Sequence, residues 1–364
     1  GSCRTVPENV EIKNIIYDYS FSFKEIIMSV FSWRLFIELT LMVFLYKKFP
    51  IIGRLKTAIK SNLNTIRLKK LYSNEVNNLD LNIKNYLYSF WFNDSTHAIA
   101  LMKKENPMLK VISRAHRWDL YFEQSKYNYL PFRNQSSKYI DKIYSASLEG
   151  IEYCQKIWKI SKYNNLTLSR LGVASQNLLP LNITEKIIVS CSNVIAVKRV
   201  EKIIESLSFV KTKKIKWVHF GTGPNDKEVK DLALKLLKNK VDFEFMGRLE
   251  NNLLLNWYKN NNPNLFINLS YSEGIPVSVM EAMSFGIPCI VSKVGGSIEL
   301  VKKNVGYSVS VDESTKKIGE IIDDYFNLSN SEKEIIRGGS HKQILENFNS
   351  NKNYVAFCES LKSL

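Results

Sequence analysis

Residues 264 to 301 read NLFINLSYSEGIPVSVMEAMSFGIPCIVSKVGGSIELV, and this stretch decides the fold. Its first apolar run ends at Asn268 and predicts a buried strand. A short polar loop then leads to Pro276, where we expect a helix to begin, because proline costs least at the first helical position. A second apolar run, Pro288–Val291, predicts another buried strand. Strand, loop, helix and strand in this order are typical of a parallel βαβ unit.

The same alternation of short apolar runs and amphipathic stretches extends over most of the chain. Strands are predicted at Tyr86–Phe92, Lys110–Ala115, Lys142–Ser145, Leu166–Leu171, Lys186–Ser190, Ile215–Phe220, Asp242–Met246 and Leu265–Asn268. We therefore predict an α/β fold of two tandem Rossmann-like domains with a cleft between them. The predicted domains are 1–180 and 181–345, and a C-terminal helix in 346–364 is expected to pack back on the first domain. A proline-containing stretch without periodicity, residues 177–184, is the predicted linker.

The loop before Pro276 has the chemistry of an anion site. The free N–H groups and the dipole of a helix start favour negative charge such as a diphosphate. Gly274 allows a ligand to approach the backbone closely. Glu273 in the loop and Glu281 in the second helical turn place two carboxylates near the same strand end, where they can accept hydrogen bonds from sugar hydroxyls. A helix-capping acid and a surface acid are the plain structural alternative for these two residues.

This segment resembles the retaining family-4 glycosyltransferases, which have the two-domain GT-B fold and belong to the group 1 glycosyl transferases. Two glutamates with seven residues between them, set among glycines and prolines, are the donor-site signature of that family. They correspond here to Glu273 and Glu281, and the glycine-glycine-x-x-glutamate that usually follows ends at Glu299. The resemblance implies that Glu273 contacts the donor sugar and is a catalytic residue, and that Glu281 binds the ribose. It also implies backbone contacts to sugar and phosphate from Gly274, Ile275, Pro276 and Val277.

Other strand ends fit the same resemblance. It implies that Lys198 binds the diphosphate; the arginine that the family has five residues earlier is Asn193 here, a departure for which Arg199 is a candidate to compensate. Glycines at three further positions resemble the donor-domain turns, and a histidine at a strand end resembles the one that lines the cleft over the donor sugar. These residues are Gly221, Gly223, Gly247 and, as a second catalytic candidate, His116. Solvated or turn-shaping roles are the structural alternatives at each of them.

The function implied is transfer of a sugar from a nucleoside diphosphate sugar to an acceptor hydroxyl, with retention of configuration and without a metal or other cofactor. The expected setting is synthesis of bacterial surface polysaccharide or glycoconjugate, with a glycan or lipid-linked acceptor. Two alternatives stay open: a non-catalytic glycosyltransferase-like subunit, and a nucleotide-sugar epimerase. The strand, glycine-rich loop and helix that usually open the family are not found before residue 80, so either the sequence begins downstream of them or this domain is reduced.

The net charge of +16 lies mostly in the first half of the chain. From Lys47 to Lys70 there are eight basic residues and no acidic one, directly after an almost wholly apolar stretch, Leu35–Tyr46. That stretch is too short to span a membrane as a helix. An apolar helix followed by a basic one favours peripheral contact with anionic lipid; a core helix followed by a solvated basic helix is the equal alternative. No nucleic-acid recognition motif accompanies the charge.

Five scattered cysteines without a paired motif predict a reducing cytoplasm and no metal site. The basic first half of the chain and the family resemblance favour a place at the inner face of the cell membrane. His97 and His219 are predicted to be structural. We expect the tryptophans Trp91, Trp118 and Trp217 to lie in the core.

Overall fold

The computed structural model describes residues 21–77, 79, 85–160, 165–302 and 304–364. The first twenty residues of the predicted N-terminal domain lie outside the described part. The described helices are α1 (Phe23–Val30), α2 (Trp33–Phe44), α3 (Ile52–Val76), α4 (Asp94–Glu105), α5 (Arg133–Ser137), α6 (Leu148–Lys156), α7 (Val200–Ser208), α8 (Asp226–Leu237), α9 (Asn251–Asn261), α10 (Val277–Ser284), α11 (Ser297–Leu300), α12 (Thr315–Asn327), α13 (Asn330–Asn347) and α14 (Ser350–Lys362). The described strands are β1 (Tyr86–Ser89), β2 (Lys110–Ala115), β3 (Lys142–Ser145), β4 (Leu166–Leu168), β5 (Lys186–Cys191), β6 (Ile215–Phe220), β7 (Asp242–Gly247), β8 (Leu265–Asn268), β9 (Cys289–Ser292) and β10 (Gly306–Val309).

Two parallel sheets follow one another along the chain, which confirms the predicted α/β architecture. The first has the strand order β1-β2-β3-β4 and the second β10-β9-β8-β5-β6-β7. In the second sheet, Ile188 of β5 pairs with Leu265 of β8, so the chain order reverses between these two strands. Open parallel sheets bind ligands beyond the carboxyl ends of the strands at such a point. The fold therefore places the loops after β5 and β8 side by side.

Each sheet has its own buried apolar layers. Trp158, Phe122 and Ile143 belong to the core of the first domain, whereas Trp217 and Ile290 belong to one face of the second sheet. Helix α10 packs on the other face of the second sheet through its buried side chains. The strands carry near-continuous apolar runs because helices cover both of their faces.

The apolar helix of the first half, α2, has one buried face and one exposed face. Helix α2 buries Leu35, Glu38 and Met42 on one face and leaves Phe36 and Phe44 exposed on the other. The carboxylate of Glu38 accepts hydrogen bonds from the Tyr129 hydroxyl (2.5 Å) and from Gln135 (2.9 Å), and burial raises its pKa. Core packing and an exposed apolar surface thus coexist on this helix.

The described helices differ in length and apolar character from a membrane span. No single one of them is long and apolar enough to cross a bilayer. Helices α1 and α2 together have sufficient length and composition, but their axes are bent by 48° at the break between them.

The chain crosses between the domains twice, and the two crossings lie side by side. The N–H of Val173 donates to Phe348 O (2.9 Å), and the N–H of Ser350 donates to Val173 O (3.0 Å). After the second crossing, α14 lies against the first sheet. There Lys142 donates to Ser360 O (2.8 Å), and the Phe357 ring packs on Tyr144 with 4.8 Å between the centroids.

Candidate active site

The loop between β8 and α10 carries a buried ion pair. The carboxylate of Glu273 is only 6% exposed and accepts a hydrogen bond from Lys198 Nζ at 2.6 Å. Asn268, the last residue of β8, donates its amide to the same carboxylate oxygen at 3.3 Å. Lys198 lies in a 3₁₀ turn after β5, so the reversal of strand order brings the two charges together. A cation and a carboxylate therefore meet at the carboxyl edge of the second sheet.

The glycine pair after β9 fixes the backbone of this loop. Gly295 has φ of +52°, and a Cβ placed on it would lie 2.0 Å from Glu273 O. The N–H of Gly296 donates to Gly274 O at 2.6 Å. Both positions need glycine, since any side chain would collide with the neighbouring loop. The orientation of Glu273 is thus set by contacts made by its backbone as well as its side chain.

Helix α10 begins one residue later than expected. Pro276 has an extended ψ of 109° and is the N-cap, so the helix starts at Val277 and the predicted first-turn position of the proline is wrong. No side chain caps this helix start. Its first-turn N–H groups and dipole are therefore available to an anion. Ile275 packs against Gly296, where a Cβ would come within 2.3 Å of its side chain.

The second glutamate of the motif lies on α10 in a different environment. Asn251 Nδ2, at the start of α9, donates to Glu281 Oε1 at 2.6 Å. Burial raises the pKa of Glu281, and this hydrogen bond opposes the rise. Glu281 is therefore easier to protonate than an ordinary glutamate, whereas Glu273 is held as a partner of Lys198.

Arg199, the residue after Lys198, contacts protein carbonyl groups. Its backbone is left-handed (φ 49°), and its guanidinium donates to Leu269 O at 2.7 Å and Val311 O at 2.8 Å. Ser292 Oγ accepts a further bond from Arg199 at 3.2 Å. These bonds join the loops after β8, β9 and β10. The phosphate role of Arg199 stays a prediction; in this structure its guanidinium is engaged by protein oxygens and Asn193 is exposed.

The three donor-domain glycines allow strand-end loops to touch. Gly221 has φ of +134°, and a Cβ on it would lie 1.9 Å from Ser192 O. A Cβ on Gly223 would lie 2.1 Å from Val194 O. Gly247, with φ of +69°, accepts a hydrogen bond at its carbonyl from the N–H of Gly221 (2.8 Å). Close backbone packing alone requires Gly221 and Gly223, and their ligand contacts stay a prediction.

His116, in the first domain, lies opposite the carboxyl edge of the second sheet. Its N–H donates to Asp119 Oδ1 at 2.9 Å, and its Nδ1 lies 3.7 Å from Asp119 Oδ2. Its side chain is 15% exposed, and neither ring nitrogen has a hydrogen-bond partner among the residues that the structure describes. The next residue, Arg117, donates to Ser272 Oγ at 3.3 Å, and Gly274 faces its Cβ. The structure thus brings the His116 loop against the Glu273 loop across the cleft.

The sequence did not single out a second contact between the domains. Glu299 Oε1 accepts from the N–H of Leu148, at the start of α6, at 2.6 Å. Its Oε2 accepts from Arg170 at 2.7 Å. The motif had marked Glu299 only by position. The sequence shows that Arg170 is charged, but it does not show that its partner is Glu299, which lies 129 residues away.

Two predictions about aromatic and histidine side chains have different outcomes. Trp217 is buried as predicted, but Trp91 (46% exposed) and Trp118 (49% exposed) are on the surface, so their assignment to the core is wrong. His97 and His219 are buried and donate or accept at serine hydroxyls at 2.8 Å. Burial lowers the pKa of His97 to about 3 and that of His219 to about 4, as expected for neutral structural histidines.

Residues 176–342 match the family model described as Glycosyl transferases group 1. Over these residues, which make up a little under half of the chain, the sequence is similar to the group 1 glycosyl transferases. The match covers the whole second sheet with its strand-end loops.

Similarity to individual glycosyltransferases extends over limited stretches of sequence. The chain is 35% identical over 111 residues to O-antigen biosynthesis glycosyltransferase WbnH of Escherichia coli, covering 30% of each protein. It is 31% identical over 90 residues to the UDP-Gal:alpha-D-GlcNAc-diphosphoundecaprenol alpha-1,3-galactosyltransferase of Escherichia coli, covering 23% of each. The matched segments therefore span less than a third of these relatives.

Similarity of fold is wider. The chain superposes on Anabaena Alr3699/HepE, solved in complex with UDP, with a TM-score of 0.65 and 14% identity, covering 83% of this chain and 82% of that one. At this identity the likeness shows the fold alone. It shows that both sheets, with the cleft between them, form the two Rossmann-like domains of the GT-B fold.

Proposed function

We propose that this chain transfers a sugar from a nucleoside diphosphate sugar to an acceptor hydroxyl, with retention of configuration. The observation that carries the proposal is the Lys198–Glu273 ion pair beside the uncapped start of α10. A departing diphosphate needs preorganised positive charge, and the ammonium of Lys198 with the first-turn N–H groups of α10 supplies it. Ile275, Pro276 and Val277 line the approach to these groups through their backbone.

The two glutamates divide the remaining work in this proposal. Glu273, held by Lys198 and Asn268, accepts hydrogen bonds from donor-sugar hydroxyls close to the reacting carbon. Glu281 accepts from the ribose, and the pyrophosphate lies between them. His116 lies across the cleft, and its Nε2 has no hydrogen-bond partner among the described residues, so it is placed to bond the sugar from the other face. Since the leaving phosphate can itself take the acceptor proton, the reaction needs neither a protein base nor a metal.

The identity of the substrates is also a proposal. Solved structures of similar fold contain UDP, so a uridine nucleotide is the first donor to test. One relative with short matched sequence is named for a diphosphoundecaprenol acceptor, and another for O-antigen biosynthesis. We accordingly propose a glycan or lipid-linked acceptor in surface-polysaccharide synthesis.

The test of the donor site is calorimetric. UDP-, GDP- and ADP-sugars are titrated into the parent, Glu281→Ala and the surface control Glu320→Ala. One nucleotide sugar should bind, and loss of a charge-assisted hydrogen bond should weaken it roughly tenfold or more in Glu281→Ala only. Equal affinity in all three proteins contradicts the site. Product analysis separates the alternatives: an epimerase converts the donor without acceptor, and a non-catalytic subunit leaves it unchanged.

We also propose that the first three helices contact an anionic membrane at the cytoplasmic face. Helices α1 and α2 both contact the basic helix α3, and they and the turn between them expose six large apolar side chains: Phe23, Met28, Phe31, Trp33, Phe36 and Phe44. Apolar burial and charge attraction act together at such a surface. The four described cysteines are unpaired, in keeping with a reducing compartment.

Vesicle flotation tests this contact. The parent should bind vesicles of phosphatidylglycerol and phosphatidylethanolamine and should be released by salt. Phe36→Ser with Phe44→Ser should reduce binding several-fold, while Phe209→Ser on the second domain leaves it unchanged. Equal flotation of all proteins, or binding to neutral vesicles alone, contradicts the proposal.

A further inference from the structure

Three exposed aromatic rings form a continuous surface on the first domain. Phe90 (48% exposed), Trp91 and Trp118 follow β1 and β2 at the carboxyl edge of the first sheet. The Phe90 and Trp91 centroids are 5.3 Å apart, and those of Trp91 and Trp118 are 6.0 Å apart. We call this set of three residues the aromatic platform. Such aromatic side chains would be expected in a core, and their shared exposure at one edge indicates a contact surface.

The platform is held rigidly from below. Trp91 O accepts from Ser89 Oγ (2.7 Å), from the N–H of Asn93 (2.9 Å) and from Thr96 Oγ1 (2.9 Å). The fully buried Asp119 joins the two loops, because it accepts from the N–H of Phe92 at 2.7 Å as well as from His116. The backbone that carries the rings is therefore held in place, which reduces the entropy lost on binding.

The platform also lies beside the reacting groups. The Phe90 ring is 4.6 Å from the His116 ring, whose Nε2 has no hydrogen-bond partner in the part of the chain that the structure describes. Trp118 follows Arg117, the residue that contacts Ser272 and covers Gly274 in the second domain. A molecule resting on these rings would therefore reach the cleft above the Glu273 loop.

We propose that the aromatic platform binds a pyranose ring of the acceptor. This inference rests on the proposed transfer reaction and names the acceptor subsite within it. A pyranose has a face of polarised C–H groups that packs on the negative face of an aromatic ring, and hydroxyls at its edge that need hydrogen-bond partners. Trp91 and Trp118 supply the first requirement and His116 the second. An alkyl chain would use the rings but would leave the imidazole nitrogens without partners.

The experiment uses fluorine NMR of the full chain labelled with 5-fluorotryptophan. Its six tryptophans give six resonances, and Trp91→Phe and Trp118→Phe assign two of them. The probes are methyl α-glucopyranoside, methyl α-galactopyranoside and methyl N-acetyl-α-glucosaminide, each titrated to its solubility limit with and without UDP. Decyl phosphate below its micellar concentration serves as the alkyl probe.

The expected result is a saturable shift of the Trp91 and Trp118 resonances with at least one pyranoside, while the four unassigned tryptophan resonances stay fixed. Trp118→Ala should weaken that pyranoside roughly tenfold and Trp118→Phe less, because a ring remains. Resonances that stay fixed with every pyranoside, or that move only with decyl phosphate, overturn the proposal.

A parallel calorimetric titration with UDP, GDP and ADP keeps this inference separate from the proposed function. UDP should bind Trp118→Ala and the parent equally. If UDP, GDP and ADP all fail to bind the parent while the pyranoside shift is present, the donor site is wrong and the platform stands. If UDP binds and no pyranoside shifts a resonance, the platform is wrong and the donor site stands.

Discussion

The two walls of the cleft hold their functional side chains by different means. On the second domain, Glu273 and Lys198 are charged, largely buried and fixed by glycine backbones that touch from neighbouring loops. On the first domain, Trp91 and Trp118 are uncharged and exposed, and a single buried carboxylate, Asp119, fixes their loops. One wall thus has the chemistry for phosphate and the other the chemistry for the face of a sugar ring.

This difference predicts that the two walls can be damaged independently. We call the wall with Glu273 and Lys198 the charged wall, and the wall with Trp91 and Trp118 the aromatic wall. Changes at the charged wall should act on donor affinity and on departure of the diphosphate. Changes at the aromatic wall should act on acceptor affinity alone. A variant of one wall that alters both affinities equally would show that the walls act as a unit through closure of the domains.

The largest expected effect is that of Lys198→Ala. It removes the cation proposed for the leaving diphosphate and leaves the buried Glu273 carboxylate with Asn268 as its remaining partner. We expect turnover to fall about 100-fold or more, the cost of losing one preorganised electrostatic contact to a developing charge. The measurement is the rate of UDP release from the donor sugar that binds the parent.

Two further variants serve as controls for Lys198→Ala. Lys198→Arg keeps the charge with altered geometry and should retain part of the rate. Lys235→Ala, on the exposed face of α8, should match the parent. A Lys198→Ala protein that releases UDP at the parent rate would remove the charged wall from the mechanism.

A smaller effect is expected from Gly295→Ala, which acts on the same wall through the backbone. The new Cβ would lie 2.0 Å from Glu273 O at a φ of +52°, so the loop must move. We expect a loss of about 1–3 kcal/mol in unfolding free energy and roughly tenfold weaker donor binding. Urea denaturation and calorimetry measure the two quantities.

Gly338→Ala is the matched control for that glycine. It lies within α13, and nothing comes within 4 Å of a Cβ placed there. The substitution should raise stability by up to about 1 kcal/mol, since alanine favours a helix, and should leave donor binding unchanged. If both glycine variants bind donor as the parent does, the contact between the two loops does not set the site.

Much of the second domain could be predicted from sequence because its signals are local. The bounds of β6 and β8 agree with the prediction to the residue, since each is a short, mostly apolar run with clear ends. Strand β10 was missed: it has four residues, begins with Gly306 and lies half-buried at the edge of its sheet. Such a strand has too short a pattern to stand out.

The errors concern side chains whose surroundings come from distant parts of the chain. A strand was predicted to run to Phe92, but β1 ends at Ser89, because three hydrogen bonds to Trp91 O turn the backbone there. Trp91 therefore lies on a loop at the surface and not in the core. The engagement of Arg199 depends on Leu269 and Val311, which are 70 and 112 residues away. No local pattern carries that information.

The smallest effect sharpens the contrast between the two glutamates of the charged wall. Burial raises the pKa of Glu281, and the proposed ribose contact needs the ionised carboxylate as acceptor. Donor affinity should therefore be full above the raised pKa and should weaken a few-fold as pH falls through it. The measurement is the dissociation constant of the UDP-sugar from about pH 8 to about pH 5. A UDP-sugar is used because its diphosphate, unlike that of UDP, has no ionisation in this range.

Glu281→Gln should bind more weakly at high pH and show a flatter profile. If its profile has the slope of the parent's, another group titrates and the role of Glu281 is wrong.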